Sequence, residues 1–116
     1  AGAEVELLTV DKAEAAAISE AKAFALGCPA MGAEELEEGE MEPFMAELDS
    51  QIAGKTIALF GSYGWGGGEW MRDWESRVVS DGAAVLSGEG IIADNAPDDD
   101  VLAECRAAGA KLAALV

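Results

Sequence analysis

The chain has 116 residues, 51% of them hydrophobic, and this length suits one core and excludes two ordinary domains. Its 23 acidic and 7 basic residues give a formal net charge of −16, which opposes binding to nucleic acids and anionic membranes. The sequence lacks an apolar run of membrane-spanning length and a signal-peptide pattern at its start, so we expect a cytoplasmic protein. The negative charge favours partner proteins with basic surfaces. Composition alone leaves open that the charge serves only to keep the protein soluble.

Few residues offer catalytic or metal-binding chemistry. The chain has no histidine, and its two cysteines are Cys28 and Cys105. These exclude a disulfide framework, the usual zinc ligand sets and a Cys-His nucleophile pair. We therefore expect no metal site and two free, buried thiols.

The first half of the chain predicts two strands and two helices. Residues 4–10 alternate acidic and apolar side chains and favour a strand with one wet face, and the Ala-rich residues 13–19 favour a short helix. Residues 23–27 form an apolar run typical of a buried strand. A helix over 41–52, closed by Gly54, is predicted by apolar residues at three- and four-residue spacing: Met41, Phe44, Met45, Leu48 and Ile52.

The second half continues the alternation of strand and helix. Residues 55–60 read as a strand, a glycine-rich loop follows over 61–68, and a helix over 69–79 is predicted with Trp70, Trp74 and Val78 on one face. Two short strands, 83–86 and 90–93, and a final helix from Pro97 complete the series. The apolar face predicted for that final helix includes Val101, Leu102, Cys105, Ala108 and Leu112.

This alternation predicts one α/β domain over 1–116, with a mainly parallel sheet and helices on both faces. In such sheets ligands bind beyond the carboxyl ends of the strands, so the loops over 28–35 and 61–68 are the informative ones. In the second loop Tyr63 and Trp65 stand among five glycines, and Trp65 offers a wide aromatic face to a flat ring system. A tryptophan that packs into the core is the alternative.

The first loop carries three residues of interest. Met31 could cover the other side of a planar ligand, Gly32 permits a change of backbone conformation, and Glu34 supplies an acceptor. Each has a plainer explanation when taken singly, as a core methionine, a turn or a solvated carboxylate. Because these residues follow the strand next to the one that precedes the glycine-rich loop, the combination favours a binding site for a planar ligand.

Several segments match, in order, the motifs of one known family and cover nearly all of the chain. They are Leu-Gly-Cys-Pro-Ala-Met-Gly at 26–32, Glu-Glu-Leu-Glu at 34–37, Glu-Pro-Phe at 42–44, Leu-Phe-Gly-Ser-Tyr-Gly-Trp-Gly at 59–66, Glu-Trp-Met at 69–71 and Asp-Asn-Ala-Pro-Asp at 94–98.

In these segments the chain resembles the short-chain flavodoxins of anaerobic bacteria. The resemblance implies a flavodoxin-like three-layer sandwich of strand order 2-1-3-4-5, with FMN at the point where that order reverses. It implies that Met31 and Trp65 sandwich the isoalloxazine ring. The backbone of Met31, Gly32 and Ala33 would flip a peptide when the flavin takes one electron, with Ala33 a tolerated departure from the family. Glu34 would lie near flavin N3.

The remaining contacts follow from the same resemblance. Ser62, Tyr63 and Gly64 would supply backbone contacts to the flavin, and Asn95 would border the site. The complete set predicted to bind FMN is Ala30, Met31, Gly32, Ala33, Glu34, Ser62, Tyr63, Gly64, Trp65, Gly66 and Asn95.

The chain departs from the family at its start. Short-chain flavodoxins open with a central strand, a Ser/Thr- and Gly-rich loop that holds the FMN phosphate, and a helix, and none of these precedes Ala1. We therefore expect an N-terminally truncated domain without the first strand, with weak FMN binding because phosphate contacts are missing. The chain is then a fragment, a re-closed fold, or a partner of a second chain or N-terminal segment that completes the sheet.

The resemblance implies a low-potential one-electron carrier that exchanges electrons with redox proteins bearing basic surfaces, and not an enzyme. The alternative is a flavodoxin-like scaffold that has lost FMN and acts as a structural or interaction domain. A flavin-dependent enzyme is less favoured, because Glu34 is the one candidate acid or base beside the proposed ring site.

Overall fold

The computed structural model describes residues 8–9, 12–21, 23–28, 39–63, 68–94 and 96–115. Strands and helices alternate along these residues, as the sequence predicts. The elements are α1 (Ala15–Ser19), β1 (Ala23–Gly27), α2 (Met41–Leu48), β2 (Thr56–Tyr63), α3 (Glu69–Ser80), β3 (Ala84–Val85), β4 (Ile91–Asp94) and α4 (Asp99–Ala113), with a 3₁₀ turn (Leu86–Gly88) between β3 and β4.

The sheet is built around β2, and every described strand pair is parallel. On one side β1 pairs along residues 56–60 of β2. On the other side β3 pairs with the start of β2, and β4 pairs with residues 60–63, so that β3 and β4 follow one another along the same edge. Parallel neighbours need crossover connections, which α2 and α3 provide. The α/β class with a parallel sheet is therefore confirmed.

Strand β2 is longer than the sequence predicts. Gly61, Ser62 and Tyr63 were assigned to a glycine-rich loop, but they continue the strand because Ile92, Ala93 and Asp94 of β4 pair with them. A glycine inside a strand often marks a close backbone approach. Gly61 is such a residue, since a Cβ atom on it would overlap the carbonyl oxygen of Cys28. The strand is predicted to end too early, at residue 60, because this glycine is also typical of the start of a loop.

The core lies on one face of the sheet, beneath α2 and α3. The predicted faces of these two helices are buried, and Ile52 is also buried although α2 ends at Leu48. The fully buried side chains, each less than 2% exposed, are Trp70, Trp74, Met45, Leu48, Ile52, Ile57, Leu59, Met71 and Val78.

Helix α4 contacts β4 and β1, and its apolar face is covered less than predicted. None of its residues is buried, Leu102 is 39% exposed, and Cys105 is an exposed free thiol rather than the buried one expected. Helix α4 and the sheet enclose an open cleft of about 230 Å³, whose lining includes Ala58, Ile91 and Ala108. Because this space is not filled by side chains, the helix is not close-packed on the sheet there.

Helix α4 also begins two residues later than predicted. Asp98 has extended backbone geometry and caps the helix, its Oδ1 accepting a hydrogen bond of 2.9 Å from the Val101 N–H. An aspartate is a preferred residue at this position, because its side chain satisfies a free backbone donor. The acidic residues 98–100 therefore lie at the N-terminus of α4, where negative charge is favourable.

The predictions for the two N-terminal strands have different outcomes. Most of the strand predicted over 4–10 lies outside the described residues, and Leu8 and Thr9 are exposed and belong to no strand. Strand β1 has the predicted bounds but is not fully buried, since Leu26 is buried and Ala25 is exposed. Ala25 lies on the sheet face opposite the core, because side chains alternate along a strand.

An ion-pair network joins α2 to the end of α3. Arg77 donates from Nε and Nη2 to the Asp49 carboxylate, at 3.0 and 2.7 Å, and from Nη1 to Glu42 at 2.7 Å. Asp81, the residue after α3, lies near Asp49, and its Oδ2 is buried without a hydrogen-bond donor among the described residues. The two carboxyls therefore hydrogen-bond when one of them is protonated. Burial, the hydrogen bond to Asp49 and the charge of Asp49 raise the pKa of Asp81 to about 6. Burial opposes ionisation of Asp49 too, but hydrogen bonds from Arg77 and Asp81 lower its pKa overall.

This carboxyl pair predicts a pH dependence of stability. Because the folded-state pKa of Asp81 exceeds its unfolded value of 3.8, the folded chain binds more protons between about pH 4 and 6. The stabilising contribution is complete below that range and is lost as the pH rises through about 6. We expect the loss to be about 1–2 kcal/mol, because Asp81 is partly exposed and the pair shares one proton.

The variant Asp81→Asn keeps a donor to Asp49 but cannot ionise. It should be more stable than the wild type at pH 7.5 and should lose this pH dependence, as measured by denaturant unfolding at pH 4.5 and 7.5. Asp73→Asn, which removes one exposed charge from the same helix, is the control and should keep the wild-type profile. Parallel profiles for Asp81→Asn and the wild type would contradict the shared proton.

Candidate functional site

Three strands end at the same edge of the sheet. β1 and β2 run parallel with Gly27 beside Phe60, while β2 and β4 continue together until Tyr63 lies beside Asp94. In an open parallel sheet this edge is where ligands bind. The carboxyl ends of β1, β2 and β4 therefore mark the candidate site, and this name is kept for them below.

Most of the residues predicted to bind FMN follow these strand ends immediately. The segments 29–38, 64–67 and 95, which lie outside the described residues, begin directly after Cys28, Tyr63 and Asp94. The structure thus brings together the starting points of the three segments. The predicted residues that lie outside the described part are Ala30, Met31, Gly32, Ala33, Glu34, Gly64, Trp65, Gly66 and Asn95.

Ser62 and Tyr63 are the two predicted residues that the structure describes, and both lie in β2 rather than in a loop. Both are half-buried, and they point to opposite faces because side chains alternate along a strand. The Tyr63 ring packs against Trp70, with centroids 5.7 Å apart and planes tilted by 50°. The end of β2 at the candidate site is thus packed against α3 through the Tyr63 and Trp70 rings.

The end of β1 is fixed by contacts that the sequence analysis missed. The Cys28 N–H donates to the Phe60 carbonyl at 3.1 Å, which extends the β1–β2 ladder by one residue. The Cys28 carbonyl accepts a buried hydrogen bond of 3.1 Å from Nε1 of Trp70. Gly61 leaves room for that carbonyl, because any side chain there would overlap it. The available signal was Gly61 itself, an isolated glycine directly after an apolar strand.

Helix α3 also contacts the backbone just before β4, the strand on the other side of β2. The Glu75 carboxylate, 14% exposed and paired with Arg72, accepts a 2.5 Å hydrogen bond from the Gly90 N–H, next to the start of β4. A Cβ atom on Gly90 would overlap the sulfur of Met71, which is fully buried. The same helix therefore contacts the backbone at the end of β1 and before the start of β4.

The described surface at this edge is acidic. Glu69 at the start of α3 and Asp94 at the end of β4 are exposed, and the acidic first turn of α4 lies on the same side of the sheet. Several of the basic side chains are engaged: Arg72 with Glu75, Arg77 with Asp49 and Glu42, and Lys111 with Ser87. The excess of negative charge is therefore only partly compensated within the chain.

The described residues offer neither a metal site nor a membrane-spanning helix. They contain no group of three acidic, cysteine or histidine side chains that could hold a metal ion. No helix in the same part of the chain is long and apolar enough to cross a membrane.

Comparisons with known proteins agree on one family. The flavodoxin family model matches residues 1–109. The flavodoxin of Megasphaera elsdenii is 44% identical over 110 residues, which cover 92% of this chain and 80% of that protein. The flavodoxin of Clostridium beijerinckii is 54% identical over 74 residues, which cover 64% of this chain and 53% of that protein.

A solved structure extends the agreement to the fold. The solution structure of two-electron reduced Megasphaera elsdenii flavodoxin matches with a TM-score of 0.77 and 43% identity, covering 95% of this chain and 80% of that one. The resemblance to short-chain flavodoxins of anaerobic bacteria is thus confirmed. On the strength of the family match, the sequence identity and the shared fold, this chain belongs to the flavodoxin family, whose members are FMN-binding electron carriers.

Proposed function

We propose that this chain is a low-potential one-electron carrier that uses non-covalently bound FMN. The observation that carries the proposal is the meeting of β1, β2 and β4 at one edge, where each strand leads directly into a segment predicted to contact FMN. Membership of the flavodoxin family supports it.

The two described strand ends that precede the segments 29–38 and 64–67 belong to neighbouring strands. A planar ligand proposed to bind between these segments would therefore adjoin the ends of both β1 and β2. The start of the first segment is held through the Cys28 backbone, and the start of the second through the packing of Tyr63 on Trp70. A preformed framework of this kind lowers the ordering cost of binding.

Bound FMN would supply the exchange of single electrons, and the protein residues would hold and surround its ring. Met31 and Trp65 would cover the two faces of the ring and exclude water from them. The backbone of Ala30, Gly32 and Ala33 would lie along one ring edge, where Gly32 permits a change in peptide orientation. The other predicted contacts come from Glu34, Ser62, Tyr63, Gly64, Gly66 and Asn95.

The acidic surface supports a low reduction potential. A negative charge about 10 Å from the ring disfavours the addition of an electron by roughly 0.4–1.7 kcal/mol at an effective dielectric of 20 to 80, which is tens of millivolts. Exposed Glu69 and Asp94 lie at the edge where the ring is proposed. The same charges would steer association with basic faces of redox proteins, and raising the salt concentration should slow it.

The proposed residues contact the flavin ring, and none of them is assigned to the FMN phosphate. A phosphate held by charge-assisted hydrogen bonds gains about 1.5–3 kcal/mol from each. Because the residues proposed to bind FMN would surround its ring, and the net charge of −16 opposes binding of a phosphate dianion, we expect weak binding with little preference for FMN over riboflavin. Titration by flavin fluorescence should give dissociation constants for FMN and riboflavin within about tenfold of each other.

Lumiflavin, which has the ring without the ribityl chain, is the matched control and should bind with similar affinity. Binding of FMN more than about 100-fold tighter than that of riboflavin would mean that other residues hold the phosphate.

The function itself is tested by an absorbance spectrum of the purified chain before and after addition of FMN, followed by redox titration. We expect a perturbed flavin spectrum and a first reduction step that differs in potential from that of free FMN. A flavin spectrum that stays the same as that of free FMN, with the chain in large excess, would contradict the proposal and favour the scaffold that has lost FMN.

A further inference from the structure

Cys28 is the residue that joins β1 to the segment 29–38, and we call it the joint. It is 4% exposed and is held by two hydrogen bonds of 3.1 Å. Its N–H donates to the Phe60 carbonyl, and its carbonyl accepts from the Trp70 indole. Trp70 is 1% exposed, so this hydrogen bond is shielded from water. A buried carbonyl that loses a donor bears a desolvation cost, so the indole N–H favours one orientation of the Cys28 carbonyl.

The orientation of this carbonyl fixes the peptide group that joins Cys28 to Pro29. The next residue is Pro29, which has no N–H, and a residue before proline is restricted to extended backbone conformations. Gly61 adds a steric limit, because its Cα lies against the same carbonyl and leaves no space for a side chain. The plane of the peptide that begins the segment 29–38 is therefore determined by α3 and β2 together.

We propose that Trp70 is a positioning residue for the flavin site. Its indole N–H holds the Cys28 carbonyl and thereby aligns the segment that carries Met31 and Gly32. The inference rests on the proposed function in one respect, since it takes that segment to contact FMN. Loss of the indole N–H should loosen the joint and weaken flavin binding even if the fold is kept.

The chain contains a matched control for this hydrogen bond. Trp74 lies one turn further along α3 and is also 1% exposed, but its Nε1–H has no hydrogen-bond partner among the described residues. Trp70→Phe and Trp74→Phe are the same chemical change on the same helix. Only the first removes a hydrogen bond to Cys28, the residue directly before the proposed flavin segment.

The first experiment compares flavin binding by the two variants after circular dichroism has shown that both fold. Trp70→Phe should weaken FMN binding by about 5- to 30-fold and shift the first reduction potential. Trp74→Phe should leave both values close to those of the wild type. Equal FMN affinities and potentials in the two variants, with a wild type that binds FMN, would overturn the positioning role.

The second experiment uses amide hydrogen exchange in the absence of flavin. In Trp70→Phe the Cys28 amide should exchange faster than the change in global stability explains, whereas in Trp74→Phe it should follow global stability. Cys28 protection that follows global stability in both variants would overturn the inference. A wild type that fails to bind FMN would overturn the proposed function and the role of Trp70 in that site, while the exchange data would still decide whether Trp70 holds the joint.

A third measurement needs no variant and applies if Trp70→Phe does not fold. In the wild type, FMN should change the exchange rate of the Trp70 indole proton and leave that of Trp74 unaltered, as observed by nuclear magnetic resonance. Equal changes at the two indoles, or no change at Trp70, would overturn the coupling.

Discussion

Trp70→Ala should lower the free energy of unfolding by about 3–5 kcal/mol. The indole is 1% exposed, packs against Tyr63 and donates to the buried carbonyl of Cys28. Alanine would leave a cavity between α3 and β2 and would remove that donor, so two costs add. Urea denaturation followed by far-ultraviolet circular dichroism, without flavin, measures the loss.

Val79→Ala is the control on the same helix, because Val79 is 58% exposed and lies away from the core. Its expected effect is within about 0.5 kcal/mol. A loss below about 1.5 kcal/mol for Trp70→Ala would be inconsistent with the packing described for α3.

Trp65→Ala should weaken FMN binding by about 5- to 150-fold and leave the unfolding free energy of the flavin-free chain nearly unchanged. The binding range corresponds to the ~1–3 kcal/mol that stacking of a flat base on an aromatic side chain contributes. Trp65 stands among glycines in a segment that follows β2 directly, which is where the family resemblance assigns one face of the ring. Flavin fluorescence quenching gives the dissociation constant, and urea denaturation gives the stability.

Trp65→Phe keeps an aromatic face and should lose less affinity than Trp65→Ala. The alternative weighed for Trp65, a tryptophan packed into the core, makes the opposite prediction: a stability loss of several kcal/mol with little specific effect on FMN. The ratio of the two losses therefore separates a ring contact from a core residue. Unchanged FMN affinity in Trp65→Ala would remove Trp65 from the site.

The class of fold and most element positions follow from the sequence because they depend on local patterns. The three- and four-residue spacing of apolar residues in α2 and α3 produces one apolar face on each helix, and those faces are buried. The run over 23–27 forms β1 although alanine and leucine are good helix formers, because it is short and apolar, is ended by a glycine and pairs with β2. The resemblance in several separate loops indicated the family, which composition alone did not.

Predictions from the sequence are wrong where a residue's environment depends on distant segments. Ser62 and Tyr63 look like loop residues beside glycines, yet they pair with β4, about 30 residues further along the chain. Cys105 lies on an apolar stripe, but an open cleft separates part of α4 from the sheet, and Cys105 is exposed. No local pattern reports how well a helix face is covered.

By itself the sequence determined the alternation of strands and helices, the faces of α2 and α3, and the loops that carry the flavin motifs. Only the tertiary structure decided how those loops begin. The Trp70 N–H and the missing Cβ of Gly61 both meet the Cys28 carbonyl, although Trp70 is 42 residues away in sequence. A periodic pattern places Trp70 on a buried face, but a hydrogen bond depends on the position and direction of one donor and one acceptor. Those are set by the packing of α3 on the sheet, which no local pattern encodes.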